Sequence, residues 1–100
     1  MNPREKEILD QAVEVLKNRL HPSKIFLFGS RAKHQSQKGS DFDLAVDSPK
    51  PELRIQRQIR EAIEEFSGLY KVDVVYLDHV DQEFREIILK TGKVIYEKRN

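Results

Sequence analysis

The first part of the chain repeats its apolar positions at helical spacing. An apolar residue recurs every four positions, at Ile8, Ala12, Leu16 and Leu20. This spacing places the four side chains on one face of a helix. Pro3 suits a first helical turn, and a helix ends before a proline such as Pro22. We therefore predict a helix over residues 4–20.

Four shorter segments have the patterns of β-strands. Residues 25–28 form an unbroken apolar run before Gly29, which is typical of a strand buried on both faces. Residues 41–47 alternate apolar and acidic positions at first, so that only one face of that strand is apolar. Residues 71–77 predict a third strand. Residues 94–96 predict a short final strand at an edge of the sheet.

Two helices are predicted among these strands, and a loop. A second helix follows Pro51 and runs to about Phe66, with Gly68 as its end signal. A short third helix begins after Asp81 and stops at Gly92. Residues 34–40 are polar and contain a glycine, so they predict a loop.

The order of the predicted elements indicates an α/β (α+β) domain. It reads α-β-(short α)-β-α-β-α-β, in which the short helix follows the first strand. Alternating helices and strands of this kind form a small mixed sheet of about four strands with flanking helices. The expected organisation is one domain over residues 1–100.

Composition removes several classes of function. The 18 basic and 17 acidic residues leave a net charge of +1, which argues against a nucleic-acid coat or a membrane-surface protein. The chain has no cysteine, which excludes disulfides and thiolate metal sites and is compatible with a reducing cytosol. The polar start is unlike a signal peptide, and the short apolar runs are unlike a membrane span. We expect a cytoplasmic protein.

Three aspartates form a candidate metal site. Asp41 and Asp43 leave the same face of one predicted strand, and a cation would relieve their repulsion. Asp73 is the exception in an otherwise apolar strand, where an unpaired carboxylate is costly. If the two strands are neighbours, the three carboxylates converge and suit two Mg²⁺ ions about 4 Å apart. The alternatives are a solvated strand face for the first pair and an edge-strand aspartate facing water for Asp73.

A candidate phosphate site follows the first strand. Gly29 lets a phosphate approach the backbone, and the Ser30 hydroxyl and nearby N–H groups can donate to phosphate oxygens. Arg31 adds a forked donor. A strand followed by glycine, serine and a helix is also a common connection. This segment therefore indicates a phosphate site only in combination with the acidic residues that follow it.

Together these motifs resemble a known family. Gly29-Ser30, ten intervening residues and Asp41-x-Asp43 match the pattern of the DNA polymerase β-like nucleotidyltransferase superfamily. Residues 72–75, which carry the third aspartate, and the closing segment 84–96 are similar to its small prokaryotic members. The chain most resembles the minimal nucleotidyltransferases, the MNT antitoxins that are paired with HEPN-domain toxins.

The resemblance implies a role for each candidate residue. Asp41 and Asp43 would hold two Mg²⁺ ions around a nucleoside triphosphate, for which ATP is the family's usual donor. Asp73 would bind the catalytic metal and accept the proton of the attacking hydroxyl. The residues implied to bind the nucleotide are Gly29, Ser30, Arg31 and Ser40.

The expected acceptor is a protein. We expect 100 residues to leave no room for a lobe that binds an acceptor, so a partner would supply it, most simply a tyrosine hydroxyl on a HEPN toxin. The sequence is also compatible with an oligomer of this chain. The alternative is a binding module that blocks a toxin by occlusion without catalysis. Gly29-Ser30 at this spacing argues against a third possibility, a two-metal phosphohydrolase.

Overall fold

The computed structural model describes residues 1–29 and 41–99. Its elements are α1 (Pro3–Leu20), β1 (Lys24–Phe28), β2 (Phe42–Val46), α2 (Leu53–Ser67), β3 (Val72–Tyr76), α3 (Gln82–Thr91) and β4 (Lys93–Glu97). Each lies where the sequence predicts it, within a few residues at either end. The predicted short helix after β1 and the loop over 34–40 lie outside the described residues.

The four strands form one mixed sheet in the order β3-β2-β1-β4. β1 is antiparallel to both of its neighbours, whereas β2 and β3 are parallel. Parallel neighbours need a crossover, and α2 supplies it between β2 and β3. β4 lies at an edge of the sheet, as predicted.

Both ends of α1 are fixed by local contacts. The N–H of Glu5 donates to Asn2 Oδ1 at 2.8 Å, and the N–H of Asn2 donates back to Glu5 Oε1 at 3.1 Å. This reciprocal pair is a capping box, with Pro3 in the first turn. At the other end His21 adopts a left-handed conformation, and its N–H donates to Lys17 O at 3.0 Å. The helix therefore ends just before Pro22.

The sheet separates two apolar clusters of unequal size. α1 and α2 cover one face, where the alternating residues Phe42, Leu44 and Val46 of β2 are fully buried. α3 covers part of the other face, where Ile88 packs against a smaller cluster that includes Ala45. This partial cover matters for the site, because Asp43 of β2 lies on the α3 face.

Within the described ranges, no helix is long and apolar enough to cross a bilayer.

Removing the cap of α3 is expected to weaken the fold modestly. Asp81 is the N-cap, and its Oδ1 accepts from the N–H of Phe84 at 2.9 Å. Asp81→Ala should lower the free energy of unfolding by about 1 kcal/mol in denaturant titration. Asp78→Ala is the matched control, since Asp78 caps no helix and lies in a 3.5 Å pair with exposed His79. An equal loss in both variants would contradict a specific capping role.

Candidate active site

Asp43 and Asp73 face each other across the parallel pair of strands. The register of β2 and β3 places Asp43 directly beside Asp73. Neighbouring strands lie about 4.8 Å apart, and residues in register point to the same face. β2 and β3 are therefore neighbours, as the predicted convergence of these two carboxylates requires.

Asp41 contributes its charge from just outside β2. It is exposed and lies two residues before Asp43. The pKa of Asp43 is raised above its ordinary value, first by burial, then by the negative charge of Asp73 and then by that of Asp41. Lys71 opposes these effects. The three aspartates thus share one local field in which their negative charges repel each other.

Asp73 lies on an edge strand and remains accessible. β3 is the outer strand of the described sheet, and the Asp73 side chain is 44% exposed. Lys71 Nζ lies 3.9 Å from Asp73 Oδ1, a contact that water screens. The alternative of an edge-strand aspartate facing water is correct as a description of its exposure. It does not exclude a role in the site, because Asp73 also lies in register with Asp43.

Gly29 brings the turn after β1 against the Asp43 carboxylate. Its φ is +75°, a conformation that favours glycine. A methyl group built on Gly29 would lie 2.6 Å from Asp43 Oδ2, which is too close for a real contact. Phe28, the residue before it, is paired in register with Asp43. The start of the predicted phosphate segment therefore lies directly beside the acidic pair.

The donor atoms suit Mg²⁺, although the structure shows no ready metal cage. Among residues 1–29 and 41–99, no three His, Cys, Asp or Glu side chains are grouped closely enough to hold a metal ion. The candidate ligands Asp41, Asp43 and Asp73 offer only carboxylate oxygens, which Mg²⁺ prefers. The pKa of Asp43 is raised first by burial and then by the charges of Asp73 and Asp41, and a divalent cation would neutralise this negative charge. Chemically, these residues fit the ion.

Three predicted nucleotide-binding residues, Ser30, Arg31 and Ser40, lie outside the described part of the chain, and their roles stay predictions.

One further residue, Lys71, lies at the site although it was not predicted there from the sequence. Its side chain shares a face with Asp73, two positions on. The same period of two that relates Asp41 to Asp43 is the signal for it.

Two other aspartates, Asp47 and Asp78, lie in the turns that follow strands β2 and β3. Asp47 Oδ2 accepts a hydrogen bond from the Ser23 hydroxyl at 2.8 Å. Asp78 lies in the turn after β3, beside His79. Asp47 is therefore a useful control, because it follows the same strand as Asp43 and already has a structural partner.

Asp43 is expected to make the protein without ligand less stable as the pH rises. Its pKa is higher in the folded chain than in the unfolded chain, so the folded state binds more protons between the two values. The free energy of unfolding therefore falls as the pH rises through that interval, and it stays lower above it.

Asp43→Asn removes this penalty. Its melting temperature should exceed that of the wild type by about 2–5 °C near pH 7, and the difference should vanish near pH 3. Thermal unfolding at both pH values, without Mg²⁺, measures this. A variant less stable than the wild type near neutral pH would contradict the expected repulsion.

Comparisons with known proteins agree with this geometry. The family model "Polymerase beta, Nucleotidyltransferase" matches residues 10–100. A Haemophilus influenzae protein, named as a probable protein adenylyltransferase, MntA, is 37% identical over 75 residues. That match covers 74% of this chain and 66% of the relative, so the chain spans just under two thirds of the relative's length.

Solved structures share the fold. A crystal structure of a toxin–antitoxin pair with AMP-PNP aligns with a TM-score of 0.75 and 18% identity, over 90% of this chain and 73% of that chain. A complex of a tri-AMPylated Shewanella oneidensis HEPN toxin with its MNT antitoxin aligns with a TM-score of 0.69 and 17% identity, over 93% and 72% of the two chains. The predicted α+β nucleotidyltransferase fold is confirmed. The predicted resemblance to the MNT proteins is confirmed as well. The sequence and the sheet geometry therefore agree that this chain belongs to the polymerase beta nucleotidyltransferase family.

Proposed function

We propose that this protein transfers AMP from ATP, in a Mg²⁺-dependent reaction, to a hydroxyl group on a HEPN-type toxin and thereby acts as its antitoxin. The observation that carries the proposal is the register of Asp43 with Asp73, with Gly29 packed against the Asp43 carboxylate. This arrangement joins an acidic pair to the start of the Gly29-Ser30 motif. A metal–triphosphate site needs both parts.

The relatives support the chemistry and the partner. The Haemophilus influenzae relative is named for protein adenylyl transfer, and the Shewanella oneidensis complex pairs an AMPylated HEPN toxin with an MNT antitoxin. This chain shares the family and the fold of those proteins. A cytoplasmic location, and the action of residues 1–100 as one nucleotidyltransferase domain, are part of the same proposal.

Different residues of the chain would serve different parts of the reaction. Asp41, Asp43 and Asp73 would hold Mg²⁺, which when bound neutralises the triphosphate and stabilises charge on the transferred phosphoryl group. The turn at Gly29 leaves room for phosphate oxygens beside the acidic pair. Asp73 accepts the proton of the acceptor hydroxyl as its oxygen bonds to the α-phosphorus and pyrophosphate leaves.

The exposure of Asp73 suits this last role. A base that serves a hydroxyl on another protein must be reachable from outside, and the Asp73 side chain is nearly half exposed at the sheet edge. Asp43 lies on β2, which has strands on both sides, and burial is the largest cause of its raised pKa. We therefore place the acceptor on the Asp73 side of the acidic pair.

Ligand binding gives a first test. Mg²⁺ with a non-hydrolysable ATP analogue should stabilise the folded chain by about 2.7 kcal/mol at a hundred times the Kd, which is readily visible as a rise in melting temperature. Asp43→Asn should lose most of this shift and Asp47→Asn should keep it. A shift of equal size in all three proteins would place the nucleotide elsewhere, and no shift at saturation would overturn the proposal.

A further inference from the structure

The outer edge of β3 offers unpaired main-chain groups beside the candidate site. The N–H of Phe42 donates to Lys71 O at 2.9 Å, and the N–H of Leu77 donates to Val46 O at 3.1 Å. In a parallel ladder this fixes the odd-numbered residues of β3 as the partners of β2. The N–H groups of Val72, Val74 and Tyr76 therefore point away from the sheet. No described strand pairs with them.

The two edges of the sheet differ in how they resist pairing. β4 has an irregular register against β1, between Ile25 and Phe26, and it carries Lys93 and Glu97 at its ends. Bulges and charges of this kind blunt an edge. β3 is regular throughout its pairing, and four of its five residues are valine or tyrosine, which favour strands. Of the two described edges, β3 is the one suited to accept another strand.

A groove follows this edge. It has a volume of roughly 220 Å³ and lies between β3 and α2, where Gln56 and Arg60 contribute to its wall. Asp73 also lines it, so the groove and the candidate site share a residue. The Asp73 side chain itself points to the opposite face of the sheet, with Asp43. A strand added to β3 would therefore border the groove with one set of its alternating side chains and the Asp73 carboxylate with the other.

We propose that an extended, acidic segment of the acceptor protein pairs with β3 as an added strand and so presents its hydroxyl to Asp73. This inference rests on the proposed transfer reaction and names how the acceptor binds. In a sheet, the residue opposite Asp73 on the added strand projects to the same face as Asp73 and Asp43, about 4.8 Å further out. A tyrosine there is long enough to reach across to a phosphate at the acidic pair.

The charge around the groove selects the kind of segment. Arg60 lines the groove with a side chain that is 69% exposed and lies 3.8 Å from Glu64. Lys71, also 69% exposed, stands immediately before β3. Arg60 borders the groove on the α2 face, so it would meet acidic residues immediately before and after the acceptor tyrosine. Lys71 shares the face of Asp73 and would meet an acidic residue two positions from the tyrosine. The main chain supplies pairing that depends little on sequence.

A strand-forming peptide tests the binding step without any chemistry. The probe is a synthetic peptide Val-Glu-Tyr-Glu-Val, whose glutamates project to the groove face when the tyrosine lies opposite Asp73. Its control carries N-methyl groups on both glutamates, which removes the N–H groups for pairing. At about 2 mM, the first peptide should slow hydrogen exchange at the N–H groups of Val72, Val74 and Tyr76 by more than about threefold, and the second should not. The nucleotide-dependent stability shift is measured in parallel, so a failure of docking is separated from a failure of the proposed function.

Two pairs of variants locate the binding. Val74→Pro removes an outward N–H without touching the ladder to β2, and it should abolish peptide binding while the shift with Mg²⁺ and nucleotide remains. Arg60→Glu should weaken binding of the acidic peptide by about tenfold. Arg54→Glu, on the same helix but away from the groove, should leave it unchanged. Because Arg60→Glu alters only an exposed side chain, it keeps the test valid if Val74→Pro fails to fold.

The results that overturn the inference are distinct. Exchange protection at other residues, such as those of β4, would move the docking surface elsewhere. No protection of the β3 amides by the first peptide would contradict strand addition at β3. Protection of the same amides without peptide, together with a dimer in solution, would assign the edge to a second copy of this chain. Equal effects of Arg60→Glu and Arg54→Glu would exclude the charge selection.

Discussion

Asp43→Asn is expected to lower AMP transfer by at least about a thousandfold while the chain stays folded. Asp43 lies in register with Asp73 and against Gly29, so it links the acidic pair to the start of the phosphate segment. Asparagine keeps the shape of the side chain and removes the negative charge that a bound cation needs. The loss should appear in kcat measured at saturating acceptor, with transfer followed by α-labelled ATP.

The matched control is Asp47→Asn. Asp47 follows the same strand, but its carboxylate accepts from the Ser23 hydroxyl and lies away from the acidic pair. Its substitution should change transfer by less than about twofold. If both variants lost activity equally, or if Asp43→Asn retained it, the assignment of the site to the face shared by β2 and β3 would be wrong.

Gly29→Ala is expected to produce the second largest effect, a loss of transfer on the order of a hundredfold. A methyl group there would lie 2.6 Å from Asp43 Oδ2, and the backbone φ of +75° is already unfavourable for alanine. Either the carboxylate or the turn must move, and both belong to the proposed site. Stability should fall by about 1–3 kcal/mol at the same time.

Gly68→Ala separates crowding from backbone strain. Gly68 has a similar φ of +62°, but the nearest atom to an added methyl group is Arg4 Nη2 at an ordinary 3.6 Å. Denaturant titration should show a loss of about 1–3 kcal/mol for Gly68→Ala, while its transfer rate per folded molecule stays that of the wild type. A comparable loss of transfer in both alanine variants would contradict the close approach of Gly29 to Asp43.

Local pattern accounts for much of the fold. The four-residue period of the first helix, the alternation around Asp43 and the cap at Asp81 each depend on a few neighbouring side chains. These features appear in the structure where the sequence predicts them. The face of β2 that carries Asp43 is likewise fixed locally, because burying Phe42 and Leu44 turns Asp43 to the opposite side.

The register that creates the site cannot be obtained from local pattern. A slide of β3 by two residues along β2 would keep the same faces buried and would move Asp73 away from Asp43. Packing of β2 and β3 against α1 and α2 selects the observed register. The approach of Gly29 to Asp43 depends in the same way on the antiparallel pairing of Phe28 with Asp43. The free edge beside Asp73 follows from the strand order, which is also a tertiary property.

The site also carries a cost for the protein without ligand. Burial, and then the negative charges of Asp73 and Asp41, raise the pKa of Asp43 and so oppose folding near neutral pH. A protein selected for stability alone would replace one of these aspartates with a neutral residue. The expected gain in stability and loss of activity in the same Asp43→Asn variant would therefore indicate that this cluster serves binding and catalysis.

Transfer of label to the proposed HEPN-type toxin is the most direct test of the proposed AMP transfer. The wild type, Asp43→Asn and Asp47→Asn are each incubated with the toxin, Mg²⁺ and ATP labelled at either the α- or the γ-phosphate. We expect the toxin to gain label from the α position only, on a tyrosine hydroxyl, with the wild type and Asp47→Asn but not with Asp43→Asn. Label from the γ position, or equal α-label with Asp43→Asn, would contradict it.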